Sequence, residues 1–80
     1  MGMDIRLLVG KNLRRLRQAK GWSQEDLAFT AGLDRTYVSG VERGVRNPTV
    51  LVLWQLATAL QTEAAALLLQ EGQRIATETK

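Results

Sequence analysis

A short run of residues after Asp34 carries side chains that can form hydrogen bonds with a flat, polar partner. On a helix that begins near Asp34, with about 100° between successive residues, Val38 and Val41 lie on one side. The opposite side carries Thr36, Ser39, Gly40 and Arg43, with Arg35 on its flank. Arginine can donate to guanine, and serine or threonine can bond to several base edges. The pattern therefore favours contact with DNA bases, although any surface helix also has a solvated outer face.

The residues that catalysis and metal binding most often need are missing. The 80-residue chain contains no cysteine and no histidine, and its acidic residues are scattered. We therefore expect no enzyme, no metal site and no cofactor. No apolar run is long enough to span a bilayer and no signal-peptide pattern opens the chain, so we expect a cytoplasmic protein without a membrane partner.

Positive charge is concentrated in the first half of the chain. The net charge is +3 overall. Residues 1–46 contain nine basic and five acidic residues, whereas residues 47–80 contain two and three. The first half is therefore suited to a polyanion, and the apolar second half is suited to packing or association.

Glycines divide the chain into segments with helical periodicity. Gly21, Gly32 and Gly44 lie between apolar patterns with spacings of three and four. The segments cover about 4–20, 23–31, 34–43, 47–60 and 62–69, and Ser23, Asp34 and the run Asn47-Pro48-Thr49 supply polar helix starts. No β-branched alternation is present. We predict an all-α, compact bundle of five short helices that forms a single domain over residues 1–80.

The second and third segments are joined by a very tight turn. Gly32 can adopt the positive φ that such a turn needs, and Ala28 is small where the two helices must approach. Leu33, Val38 and Val41 are expected to bury the inner side of the third helix. Two helices joined in this way form a helix-turn-helix.

The run from Leu13 to Leu60 resembles the lambda-repressor-like, or Cro-type (XRE), helix-turn-helix family. The resemblance rests on the pattern SQEDLA, then AGL, then VS-VERG-RNP, which is highly specific for this family. The stretch LDRTYVSGVERGVRNP also resembles the controller proteins of restriction–modification systems. The family implies a lambda-repressor-like fold with the helix-turn-helix at helices two and three.

The resemblance implies particular DNA contacts. The residues expected at the bases are Arg35, Thr36, Ser39 and Gly40. Arg35 could instead bind a phosphate. Gly40 would act through close approach of the backbone, but a packing role for this glycine is equally compatible with the sequence. The residues expected at phosphates are Gln24, Tyr37, Arg43, Arg46 and Asn47. Tyr37 could equally be a structural, half-buried ring. Arg17 and Glu42 match a pair that joins helix one to helix three.

The second half of the chain contains more apolar residues than the core of one subunit requires, which predicts a homodimer. The residues expected in its interface are Leu51, Trp54, Thr58, Leu67 and Leu68, because a one-sided helix does not need so many apolar residues. They could instead fill the core of one subunit. In the resembled family, the helices after the helix that contacts the bases form two-fold dimers. The operator would therefore be pseudo-palindromic.

Several functions compete at this point. The leading hypothesis is a sequence-specific regulator of transcription that binds double-stranded DNA, as repressor or activator, with RNA polymerase as a further candidate partner. An antitoxin-type interaction module that also binds DNA is the alternative, but the chain shows no obvious disordered tail for wrapping a toxin. RNA binding is disfavoured because the basic half offers no aromatic platform.

Overall fold

The structure, a computed structural model that describes residues 4–70, consists of four α-helices and a short 3-10 helix. The α-helices are α1 (Ile5–Ala19), α2 (Gln24–Ala31), α3 (Arg35–Glu42) and α4 (Val50–Ala59), and the 3-10 helix spans Ala64–Leu68. Residues 4–70 contain no strand, so the predicted all-α fold is confirmed. Within the same range, no helix combines the length and the apolarity needed to cross a membrane.

The fifth predicted element is a 3-10 helix rather than an α-helix. Ala66 N–H donates to the Glu63 carbonyl at 2.9 Å, which is the three-residue spacing of a 3-10 turn. The carbonyls of Leu67 and Leu69 accept from Nδ2 of Asn12 in α1, at 2.9 and 2.8 Å. The chain after Glu63 is therefore bonded to α1, and this tertiary contact replaces the predicted α-helical turn.

Each α-helix begins after a side chain that accepts a hydrogen bond from a first-turn backbone N–H. These capping residues are Asp4, Ser23, Asp34 and Thr49. At α2 the arrangement is reciprocal, because Asp26 N–H donates to Ser23 Oγ and Ser23 N–H donates to Asp26 Oδ2. The predicted helix starts at Ser23, at Asp34 and within residues 47–49 are confirmed.

The core forms where α1, α2, α3, α4 and the 3-10 helix meet. Its fully buried side chains are Leu13, Leu27, Val38, Val41, Leu56 and Leu67. Burying one such side chain stabilises the fold by about 1.5–3 kcal/mol before conformational entropy is counted. Leu67 is 0% exposed within a single subunit. Its predicted place in a dimer interface is therefore wrong, because the bonds from Asn12 turn this part of the chain inward.

Helix α1 packs very closely against the end of α3. A Cβ atom placed on Gly10 would lie 2.5 Å from the carbonyl oxygens of both Val41 and Glu42. Glycine is required here because any larger residue would push the two backbones apart. The close approach sets the position of α3 relative to α1.

Candidate nucleic-acid interface

A three-residue turn orients α3 relative to α2. Gly32 has φ +74°, in the left-handed region, which confirms the conformation predicted for it. Leu33 N–H then donates to the Ala28 carbonyl at 2.8 Å. Ala28 is buried between the helices. The two helices thus form the predicted helix-turn-helix, with α3 as its second helix.

The two faces of α3 differ as the sequence predicts. Val38 and Val41 are fully buried, whereas Arg35 and Thr36 are exposed and Ser39 is half-buried. The backbone N–H of Thr36 donates to Asp34 Oδ1 at 2.8 Å, and the Thr36 hydroxyl bonds to the same oxygen. The first turn of α3 therefore presents an arginine and a polarised hydroxyl to the outside.

Gly40 is buried, and the prediction that it contacts bases is wrong. A Cβ atom placed on Gly40 would lie 2.5 Å from Cγ of Arg46. The N–H groups of Val45 and Arg46 donate to the Gly40 carbonyl at 3.0 and 3.2 Å. The loop after α3 thus folds back over this residue. The missing side chain makes room for the stem of Arg46, not for a partner.

Arg46 lies beside the predicted phosphate-binding tyrosine. Its guanidinium carbon is 5.6 Å from the centre of the Tyr37 ring, within the range of a cation–π contact. The Tyr37 ring is half-buried and packs against the core. Arg43, at the end of α3, and Asn47, in the loop that follows, are exposed. The structure thus brings Arg46 and Tyr37 together, and the contacts of these four residues with phosphate stay predictions.

Gln24 belongs to a hydrogen-bond network that joins three helices. Its Nε2 donates to Glu42 Oε1 at 2.9 Å. Arg17 Nε and Nη2 donate to the two oxygens of the same carboxylate at 2.6 and 3.0 Å, so the predicted pair between α1 and α3 is confirmed. Arg17 Nη1 also donates to the Trp22 carbonyl at 2.8 Å. Glu42 therefore fixes Gln24 at the start of α2.

Burial makes the carboxylate of this network dependent on its partners. The Glu42 side chain is 2% exposed and that of Arg17 is 10% exposed. The hydrogen bond to Glu42 raises the pKa of Arg17 above its ordinary value. Because each charge neutralises the other, the pair is expected to hold Gln24 without adding net charge.

The start of α2 opens onto a concave surface that suits an anion. Its walls are formed by Arg17, Ser23, Gln24, Glu25 and Arg35. The amino end of a helix carries a partial positive charge and free N–H groups, which favour phosphate. No group of acidic side chains that could hold a metal ion forms within residues 4–70. The exposed arginine of α3 and Gln24 of α2 thus border the same depression.

The predicted interface residues of α4 lie on its outer face. Trp54 is 59% exposed and Leu51 is 66% exposed, and Thr58 is exposed as well. Leu68 is 44% exposed, in contrast to its buried neighbour Leu67. Trp54 and Thr58 also border a groove with Trp22 of the loop before α2. An apolar surface is therefore available on α4, and its use in a dimer stays a prediction.

Two features of this region were not predicted. Phe29 of α2 is 89% exposed, and a helical wheel that places Leu27, Ala28 and Ala31 inside would have indicated this. The bond from Gln24 to Glu42 joins residues 18 positions apart, and no local pattern in the sequence indicates it.

Comparisons with known proteins agree with this geometry. A family described as helix-turn-helix matches residues 13–67. An HTH-type transcriptional regulator of Sinorhizobium fredii, y4dJ, is 52% identical over 58 residues, which are 72% of this chain and 75% of the relative.

Solved structures show the same likeness. The restriction-modification controller protein C.AhdI from Aeromonas hydrophila is 55% identical and superimposes with a TM-score of 0.76, over 78% of this chain and 94% of that one. The controller protein C.Esp1396I, solved as a tetramer in complex with its natural 35 base-pair operator, is 35% identical with a TM-score of 0.75, over 82% and 87% of the two chains. The chain therefore belongs to the helix-turn-helix family of DNA-binding transcriptional regulators.

Proposed function

We propose that this chain binds a pseudo-palindromic operator as a homodimer and regulates transcription from it. One observation carries the proposal: α3 exposes Arg35 and Thr36 at its start, directly beside the anion-suited depression at the start of α2. A helix in this position can enter the major groove while the neighbouring helix end contacts the backbone. A homologous controller protein, solved as a tetramer in complex with its natural operator, supports binding to operator DNA.

In this proposal, base and phosphate contacts come from different residues. Arg35, Thr36 and Ser39 would contact base edges and supply specificity. The residues expected to contact phosphates are Gln24, Tyr37, Arg43, Arg46 and Asn47. Phosphate contacts position the protein and supply most of the affinity, but they carry no direct sequence information.

The second subunit would be held through the outer face of α4 and through Leu68. The exposed Leu51, Trp54 and Thr58 follow one another at spacings of three and four, so a partner helix can pack along them. A two-fold dimer would place two reading helices about one turn of DNA apart. Residues 1–80 would then act as one DNA-binding and dimerising domain in the cytoplasm.

A narrower role follows from the relatives that are restriction–modification controllers. Such a role would have the chain regulate linked restriction and modification genes, with activation through contact with RNA polymerase. Transcription in vitro from the promoter next to the selected operator would test this role. Activation that survives destruction of the operator would contradict it.

Selection of DNA from a random pool, followed by a salt titration, tests the main proposal. Two arginines per subunit at phosphates give four in a dimer, which predicts about a 100-fold loss of affinity between 50 and 200 mM salt. The selected sequences should contain two inverted half-sites. An unenriched pool, or an affinity independent of salt, would contradict the proposal.

A further inference from the structure

The hydroxyl of Thr36 has a fixed hydrogen-bond polarity. Its oxygen and its backbone N–H both bond to Oδ1 of Asp34, the residue that caps α3. Both bonds hold the pKa of Asp34 below its ordinary value of 3.8, and the bond from the hydroxyl has the larger effect. The carboxylate is therefore ionised at neutral pH and can only accept. The single hydrogen of the hydroxyl must point at Asp34.

What remains free on Thr36 is an acceptor and a methyl group. A hydroxyl has one hydrogen and two lone pairs, and Thr36 is exposed on the outer side of α3. In the major groove, adenine and cytosine present an amino group that donates, whereas guanine presents only acceptors and thymine presents an acceptor and a methyl. A hydroxyl whose hydrogen is already bonded to Asp34 can therefore accept only from adenine N6 or cytosine N4.

We propose that Thr36 selects a base with a major-groove amino group, adenine or cytosine, and that Asp34 is the positioning residue that imposes this choice. The inference rests on the proposed function, because it requires α3 to lie in the major groove. A threonine hydroxyl that rotates freely can donate or accept, and can therefore bond to any base edge. The proposal for Thr36 is narrower, because its hydroxyl can only accept.

The neighbouring residue has the opposite polarity. Arg35 is exposed and its guanidinium can only donate, so it suits the acceptors of guanine. The first turn of α3 therefore presents a donor and an acceptor side by side. The two residues should specify different bases, and each preference can be removed separately.

The test compares Thr36→Val with Thr36→Ser by selection from a random DNA pool. Valine keeps the methyl and the shape but removes the acceptor, so the preference for adenine or cytosine at one position per half-site should disappear while the guanine preference stays. Serine keeps the hydroxyl and should keep the preference. In the selected operator, replacing that base by its analogue without the amino group should weaken wild-type binding about fivefold per half-site. The affinity of the Thr36→Val variant should be the same for both versions of the operator.

Two variants of the capping residue test the role of Asp34. Asparagine still offers an acceptor to the Thr36 hydroxyl, so Asp34→Asn should retain the base preference. Glycine caps a helix at a cost of only a few tenths of a kcal/mol relative to aspartate, but it frees the hydroxyl hydrogen. The Asp34→Gly variant should therefore accept guanine or thymine at that position as well.

The outcomes separate this inference from the proposed function. If the wild type enriches no sequence, the proposed function fails, and this inference fails with it. If an operator is enriched but Thr36→Val leaves every preference unchanged, or the Thr36-dependent base is guanine or thymine, only the inference is overturned. A preference for thymine that valine retains would indicate contact through the methyl group instead.

Discussion

At the scale of single residues, the arginines near α3 have different tasks because they have different neighbours. Arg17 is buried, and its charge is paired with that of Glu42 inside the fold. Arg46 lies against Gly40 and the Tyr37 ring, so its position is restricted. Arg35 is exposed at the start of the helix. Of the three, Arg35 is the one that we propose contacts a base edge.

Replacing Arg35 by alanine should remove one base preference in each half-site. A bidentate contact with guanine is worth about 1–3 kcal/mol of discrimination, so binding to the selected operator should fall by that amount per half-site. Binding to random DNA should change far less. Equilibrium titrations with both DNAs measure the difference.

Lys20→Ala is the charge-matched control for this experiment. Lys20 Nζ bonds to Gln61 Oε1 at 3.0 Å, on the chain beyond α4, and it is not part of α3. Its removal should leave the base preference intact. An equal loss of preference in both variants would contradict the role given to Arg35.

At the scale of elements, two helical glycines allow a matched comparison. In Gly10→Ala the new Cβ would meet backbone oxygens of α3 at 2.5 Å, whereas in Gly40→Ala it would meet the side chain of Arg46. Backbone cannot rotate away, so we expect Gly10→Ala to lower the free energy of unfolding by about 1–3 kcal/mol. A side chain can move, and alanine favours a helix by about 1 kcal/mol over glycine.

Gly40→Ala should therefore keep the stability of the protein but weaken its binding to DNA. The displaced Arg46 would lose its place beside Tyr37. Urea unfolding and DNA titration, carried out on both variants, separate the two effects. Unchanged DNA binding in Gly40→Ala would mean that the position of Arg46 does not matter for the interface.

The helix caps predict how stability depends on pH. Hydrogen bonds from Ser23 hold the pKa of Asp26 below its ordinary value of 3.8. A lowered pKa in the folded state means that the stabilisation is present above pH 3.8 and is lost as the pH falls through the folded value. Asparagine at position 26 carries no titratable charge. The stability difference between wild type and Asp26→Asn should therefore shrink below about pH 3.8.

Urea unfolding at pH 7, 4 and 2.5 measures this difference. Asp34 also has a lowered pKa, caused mainly by the Thr36 hydroxyl. The Asp26→Asn variant should therefore still lose some stability in the same acid range. A wild-type advantage that stays constant with pH would show that the cap of α2 does not depend on the charge of Asp26.

At the scale of the whole molecule, two adjacent leucines should have separate effects. Leu67 is fully buried, whereas Leu68 is 44% exposed. Leu67→Ala should cost about 2–5 kcal/mol, a large part of the roughly 4–12 kcal/mol expected for a chain of this size. Leu68→Ala should instead weaken the proposed dimer and leave the fold of each subunit intact.

Sedimentation equilibrium and unfolding at several protein concentrations distinguish the two leucines. A weaker dimer lowers apparent stability in a way that depends on protein concentration. A core cavity lowers it at every concentration. If Leu68→Ala behaves like Leu67→Ala, then the 3-10 helix belongs to the core alone and the dimer must use α4 without it.

The predictions from sequence succeeded where the deciding interactions are local. The helix starts at Ser23 and Asp34 depend on bonds between residues two or three positions apart, and the turn depends on the positive φ of Gly32. The inward and outward faces of α3 follow from helical spacing. These features identified the helix-turn-helix and most of its outward residues.

Tertiary structure decided the features that join distant parts of the chain. Gly40 is buried on the outer side of α3 because the loop that carries Arg46 folds back over it. The segment Ala64–Leu68 is a 3-10 helix with Leu67 buried because Asn12, 55 residues earlier, donates to the Leu67 carbonyl. Local periodicity cannot indicate which distant backbone a side chain will meet. The sequence alone therefore determined the four α-helices and the outward face of α3. Only the packed structure decided the form of the fifth element and which residues are accessible.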